Sequence, residues 1–356
     1  MTGARPAPSA AADASPAPRS ADGAGLAQRS LTIGILLGVT LAAFESLAVV
    51  TVAPRLAEEL GGLRLYGWIF SGFLLASLLG TVAAGRLADS GSLARPLALS
   101  LVAFGLGLAV SGSASTMSLV VAGRVLQGLG GGGLSTVMLT AITRAYPDSR
   151  RARMMALTSS AWVVPALLGP TVAGFVAEAV HWRAVFWGIL PLLVVVGAMT
   201  VPRFRHLVPP PAPPAPVRTL APALLLALGT GLFLVGVGDD RAWLAAALAL
   251  PGSAAALFGL RELLPTGALW LRPGLPAVVA GRGLLFAAMV GVEAFLALML
   301  TSVHGYSSTV TGAVIATGSI SWAAGSWLQS RLDARTSATR VPRLRAGSAV
   351  LLAGLG

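Results

Sequence analysis

Apolar residues run along this chain in long stretches, and almost all of the charge sits in the short gaps between them. A helix needs about 20 apolar residues to cross the hydrocarbon core of a bilayer. Six stretches meet that length in the first part of the chain: 31–53, 67–87, 96–115, 117–142, 154–178 and 183–201. Four more follow a Pro-rich linker, at 219–238, 242–263, 277–301 and 308–328, and residues 346–356 begin an eleventh. Any one of these runs could be a buried helix of a large soluble core, but ten in series could not. The pattern predicts an all-α fold: a polytopic transmembrane helical bundle in a lipid bilayer.

Charge adds direction to that picture. The 356 residues contain no lysine, so all 25 basic residues are arginines. With residue 1 inside and the spans alternating, 20 arginines fall on the inner side, Arg55, Arg64, Arg183 and Arg241 on the outer side, and Arg124 within a span. Such a bias is the positive-inside signature. It predicts a multi-pass protein of the cell (plasma) membrane with its N-terminus cytoplasmic. Residues 1–30, rich in Ala, Pro and Ser, read as a disordered cytoplasmic tail. A net charge of +12 would suggest nucleic acid for a soluble domain, but its placement at span ends gives no nucleic-acid partner. Composition agrees, with 55% hydrophobic and 11% charged residues and a mean hydropathy of +0.81. There is no cysteine, hence no disulfide, thiolate metal site or cysteine nucleophile.

An internal echo divides the spans. Tyr66 opens the second span and Gly85 follows 19 residues later; Tyr306 opens the tenth and Gly325 follows at the same spacing. The tenth span therefore matches the second helix of a second half. The resulting organisation is a tail (1–30), a six-helix bundle (31–201), a cytoplasmic linker (202–218), two inserted helices (219–263) and an incomplete C-terminal bundle (264–356). With ten to eleven of fourteen expected spans, the chain reads as truncated, and a truncated, inactive membrane protein is one of the alternatives.

Charges inside spans are candidates for function, because an ionisable group at the bilayer centre costs about 2.5–3.5 kcal/mol even on the lenient insertion scale. Arg124 and Glu45 both lie mid-span and predict a pair facing the bundle interior. Burial favours the neutral acid and the arginine favours the carboxylate, so such a carboxyl can load and unload a proton. A static ion pair for helix packing is the other reading. Glu293, mid-span in the ninth, is a further protonation candidate, or a contact for a cationic substrate. Glu178 lies at the outer end of the fifth span and is expected to reach water. Trp162 and Trp322 lie inside spans and either stack on an aromatic or cationic ligand or simply pack. Trp68, Trp182 and Trp187 fit interfacial anchors.

Four motifs recur in order. The second span ends Gly85-Arg-Leu-Ala-Asp89, followed by Arg95. The fourth holds Gly123-Arg124-Val-Leu-Gln127-Gly128. The fifth holds Pro165-Ala-Leu-Leu-Gly169-Pro170-Thr-Val-Ala-Gly174, and the first runs from Phe44-Glu45 to Pro54. Together they resemble the major facilitator superfamily, and within it the fourteen-span drug/proton antiporter (EmrB/QacA-like) group, over residues 31–335. The resemblance implies the major facilitator fold and secondary transport, with no cofactor beyond the proton gradient as energy source. It also implies proton coupling through Glu45 and Arg124, a gating loop at Gly85, Asp89 and Arg95, and an antiport-type helix at Pro165, Gly169, Pro170 and Gly174. Gln127 joins Trp162 and Trp322 as a substrate-cavity candidate.

This sequence departs from the family in three ways. Glu stands where Asp is usual in the first span, few basic residues follow Asp89, and Ala156, Pro165 and Ala173 stand where the helix motif prefers Gly. In residue terms, Gly85 would let the helix end approach its neighbour, Asp89 would cap or face a neighbouring helix N-terminus, Gly169-Pro170 would permit a kink in the fifth span, and Pro165 adds a second possible kink.

Enzymatic readings find no support. His181, His206 and His304 stand apart, there is no His-Glu-x-x-His and no G-x-S-x-G, and the glycines at 130–133 lack a following lysine. No metal site is expected. The expected function is proton-coupled export of small amphipathic compounds or drugs by alternating access, from a monomer. Alternatives are a metabolite or lipid exporter, an importer of the same fold, or a non-transporting membrane protein.

Overall fold

The computed structural model describes residues 21–208, 220–335 and Gly347. These form helices α1 (Ala21–Leu60), α2 (Tyr66–Asp89), α3 (Ala94–Gly112), α4 (Met117–Ala145), α5 (Asp148–Ser160) and α6 (Val163–Ala179). They continue as α7 (Trp182–Phe204), α8 (Leu220–Val237), α9 (Ala242–Leu263), α10 (Leu275–Leu298) and α11 (Ser308–Arg335). No strand occurs among the described residues.

Nine segments among the described residues are long and apolar enough to cross a membrane, with α5 and α6 counted as one. The expected tenth is present as the helix α11, but the Ser, Thr and Gly along it keep it less apolar than the nine. The eleventh, at 346–356, lies outside the described residues apart from Gly347, as do residues 1–20 of the tail and most of the linker. The rest of the tail differs from expectation. Helix α1 starts at Ala21, because after Pro18 nothing in the sequence interrupts the backbone hydrogen bonding. Likewise α7 runs to Phe204, past the expected start of the linker.

Between apolar helices in lipid there is little hydrophobic drive, so close backbone approach and hydrogen bonds set the packing. Helix α4 is built for this and lies between α2 and α3. Its glycine run, which the sequence offers as a false phosphate loop, is the contact surface. A Cβ on Gly132 would lie 1.9 Å from the Ser77 carbonyl oxygen of α2, and one on Gly130 would lie 2.4 Å from the Phe104 amide nitrogen of α3. Thr116 caps α4, its hydroxyl accepting from the Leu119 amide at 3.4 Å. Helix α1 lies along α6 and α7, and α3 also packs on α7. Ile35, Leu56, Ile69, Leu97, Phe104 and Phe186 belong to the shared core.

Helices α8 and α9 pack on each other and meet the rest of the molecule mainly through α2. Arg64 supports that contact, donating to the Gly238 carbonyl at 2.9 Å and to Asp240 at 3.3 Å. Helix α11 lies along α6, and α10 touches α1. A small apolar cluster of Val50, Ala297 and Ile315 marks where α1, α10 and α11 converge, toward the arginine-poor end of the bundle.

Of the two kinks expected in the fifth span, the one at Gly169-Pro170 does not form, since α6 runs unbroken through Pro170; next to the one at Pro165 the span breaks outright, at Ala161–Trp162. Pro165 explains the position, since it has no N–H to offer the carbonyl four residues earlier and its ring crowds that carbonyl. That carbonyl belongs to Ala161, and the Thr40 hydroxyl of α1 donates to it at 3.2 Å. The break is thus satisfied from another helix.

Candidate functional site

The two mid-span charges meet. Arg124 of α4 and Glu45 of α1 form a buried ion pair, with the guanidinium Nη1 donating to Glu45 Oε1. Glu45 is 0% and Arg124 2% exposed. Three more contacts hold the guanidinium: Nε donates to the Ile69 carbonyl at 3.1 Å, Nη1 also donates to Gln127 Oε1 at 2.9 Å, and Cζ lies 4.3 Å from the centre of the Phe73 ring. The arginine is therefore fixed by α2, by its own helix and by a ring face, independently of the carboxylate. A buried charge without such partners would be strongly destabilising.

The carboxylate is held less completely. Glu45 Oε2 is buried and has no hydrogen-bond partner among the described residues, and the same holds for Gln127 Nε2. One carboxylate oxygen thus serves the arginine while the other has no partner among the described residues. Gln127, expected to line a cavity, is 0% exposed and turned toward Arg124. Its place one turn after Arg124 on the same helix puts it beside the pair.

Glu293 of α10 is half-buried and makes no ion pair or hydrogen bond among the described residues. Its neighbour Ala294 is tied across the bundle, the buried Tyr66 hydroxyl of α2 donating to the Ala294 carbonyl at 2.8 Å. The structure does not join Glu293 to the Glu45–Arg124 pair. Trp162 and Trp322 are 46% and 59% exposed, so neither packs in the core. Trp162 stands at the break between α5 and α6, and Trp322 in the second half of α11.

The family model for the Major Facilitator Superfamily matches residues 10–356. The chain belongs to that superfamily. Among curated proteins it is similar to a probable multidrug-efflux transporter of Mycobacterium tuberculosis, 33% identical over 179 residues, covering 50% of this chain and 38% of that protein. It is also similar to an uncharacterized MFS-type transporter of Mycobacterium tuberculosis, 28% identical over 293 residues, covering 78% of this chain and 42% of the other. A third relative is multidrug resistance protein 3 of Bacillus subtilis, 26% identical over 162 residues, covering 46% and 32%. The matched part of each relative is less than half of its length.

In this superfamily member the expected gating loop is organised by a residue outside the motif. Arg144, at the end of α4, donates to the Ala88 carbonyl at 2.8 Å and to the Gly91 and Leu207 carbonyls at 3.4 Å each. The Leu93 amide also donates to the Leu207 carbonyl, at 3.2 Å. Asp89 and Arg95 are exposed and form no ion pair among the described residues. Gly85 is not needed for close packing, since a Cβ there would meet only Thr136 Cγ2 at 3.8 Å. Arg144 counted in the sequence only as one of the inner arginines; its position at a helix end beside a turn full of free carbonyls is the signal that could have found it.

At the arginine-poor end a second polar cluster closes α1 against α7. The Trp182 indole N–H and Arg183 each donate to Glu59 at 2.7 Å, and Arg183 also donates to the Ala114 carbonyl at 2.8 Å. Trp182, expected at the interface, is a core residue at 2% exposure. On the antiport-type helix, Gly174 meets α11 backbone to backbone: a Cβ there would lie 2.4 Å from the Ser308 carbonyl oxygen. Gly169, by contrast, has room for one, with Phe44 at 3.5 Å.

Proposed function

We propose that this chain is part of a proton-coupled secondary transporter that exports small amphipathic compounds by alternating access, in the drug/proton antiporter group. The observation that carries the reading is the buried Glu45–Arg124 pair. Its guanidinium is held by Ile69, Gln127 and Phe73, while its carboxylate keeps one unpartnered oxygen. When a proton binds Glu45 Oε2 the pair loses its charge attraction, yet Arg124 keeps its other contacts. The α1–α4 interface thereby changes strength without losing its geometry. Two relatives whose names mention multidrug resistance or efflux agree with such a cargo. We place the arginine-rich end in the cytoplasm of a plasma-membrane protein, read α1–α7 and α10–α11 as parts of two halves, and take α8–α9 as the insert between them. Glu293 would serve as a second protonation point, and the exposed Trp162 and Trp322 as contacts for an aromatic substrate.

The test is transport of a lipophilic fluorescent amine in proteoliposomes under an imposed pH gradient. The wild type is expected to accumulate the dye against its gradient. Glu45→Gln, which keeps the side-chain length and one acceptor, is expected to retain downhill flux and lose gradient-driven accumulation. Gradient-driven accumulation at the wild-type level in Glu45→Gln would contradict the reading.

A further inference from the structure

Helix α11 begins at Ser308 with backbone amides that have no partner within the helix. Its own Ser307 serves one of them, accepting from the Val310 amide at 3.3 Å. The next comes from elsewhere: Glu178, at the end of α6, accepts from the Thr309 amide at 2.9 Å and from the Thr309 hydroxyl at 2.5 Å. The two residues are 131 positions apart. Immediately below, the two helix backbones touch twice. A Cβ on Gly174 of α6 would lie 2.4 Å from the Ser308 carbonyl oxygen, and one on Gly312 of α11 would lie 2.3 Å from the Pro170 carbonyl oxygen. Arg55 of α1 holds the end of α6 in place by donating to the Ala177 carbonyl at 2.8 Å.

These contacts belong to one end of α11. Farther along it, Ile320 and Trp322 are exposed. The seam is closed by backbone contact and one charged side chain at its arginine-poor mouth. A carboxylate opposite the positive end of a helix is stabilising, and a cap of this kind shifts a conformational balance about fivefold.

We infer that Glu178 is a positioning residue for transport: a latch that caps α11 only when the seam is shut, and so biases the protein toward closure at the arginine-poor end. This rests on the alternating-access reading but not on proton coupling. Gly312 is its structural counterpart on α11, because only the absence of a side chain there lets the latch reach Thr309.

The absence of native cysteine makes the test direct. Spin labels at Val180→Cys and Val303→Cys, both exposed, report the distance across the mouth in the full chain in nanodiscs, without substrate or pH gradient. The parent pair is expected to show one dominant short distance. Glu178→Ala should raise the longer-distance fraction about fivefold. Glu178→Gln, whose amide can still accept from the Thr309 amide and donate to its hydroxyl, should stay near the parent. Thr309→Val should open the mouth partly, and adding Thr309→Val to Glu178→Ala should open it little further. Gly312→Leu, a steric wedge, is the control that the labels detect opening. If Gly312→Leu lengthens the distance and Glu178→Ala leaves the parent distribution unchanged, the latch is wrong. Because no gradient is applied, that failure is distinct from a failure of proton coupling.

Discussion

Two places in this molecule bring helix backbones together through glycine, and they are built for different ends. Around α4, glycines from Gly123 to Gly133 meet α2 on one side and α3 on the other, and the Glu45–Arg124 pair lies within the same packing. Between α6 and α11, the closest backbone approaches are at Gly174 and Gly312, beside the Glu178–Thr309 cap at one end. The first is enclosed on both sides and carries a buried charge that Ile69, Gln127 and Phe73 hold as well as Glu45 does. The second meets α1 and α10 through a small apolar cluster and has an exposed polar closure at its edge, which water would replace if the proposed gate opened. Backbone contact alone therefore does not separate a permanent core from a gate; what surrounds the contact does.

The comparison predicts a ranking of effects. The largest belongs to the α4 packing: Gly132→Leu puts side-chain atoms where the Ser77 carbonyl stands, 1.9 Å from an added Cβ. Because the clash is with backbone, a loss well beyond the roughly 1–3 kcal/mol of ordinary overpacking, enough to abolish folding, is expected, seen as loss of the folded, monodisperse protein on detergent thermal scans. Arg124→Ala comes next, at about 3–5 kcal/mol, because it leaves Glu45 buried and uncompensated. Restoring neutrality with Arg124→Ala/Glu45→Gln should recover much of that loss. Gly312→Ala should cost less stability than either and mainly open the arginine-poor mouth, read by labelling of introduced cysteines. The smallest effect is Thr40→Val, which removes the donor to the Ala161 carbonyl. About 1 kcal/mol is expected, with faster hydrogen exchange at the α5–α6 break. If Gly312→Ala destabilised as much as Gly132→Leu, the distinction between the two seams would collapse.

What the sequence disclosed followed from cost. Spans are long because lipid offers backbone groups no partner, and Glu45 and Arg124 had to meet because neither is tolerated alone. Pro165 and Pro170 offered two places for the fifth span to bend, but not which of them it would use. The break site depends on Thr40, 121 residues away in the chain, supplying a hydroxyl to Ala161. Glu178 is exposed, as its place at the outer end of the span implied, but its partner Thr309 could not be read because it lies in a distant helix. Gln127 read as a cavity residue although its spacing from Arg124 already allowed the contact it makes. Gly85, a motif residue, has room for a side-chain carbon beside Thr136, whereas the close approach of α2 to α4 falls at Gly80, where an added Cβ would lie 2.1 Å from the Leu129 carbonyl oxygen. Local patterns gave elements and costs; partners across the bundle came only with the fold.

The central proposal is that protonation of the buried Glu45–Arg124 pair drives alternating access, and the α6–α11 seam is where a change of access can be read. The most direct measurement is the Val180→Cys/Val303→Cys distance distribution at acid and neutral pH, in the parent and in Glu45→Gln. The account predicts that acidification shifts the parent distribution, and that Glu45→Gln at neutral pH already matches the acid form and no longer responds. A pH response of the same size in Glu45→Gln as in the parent would contradict it.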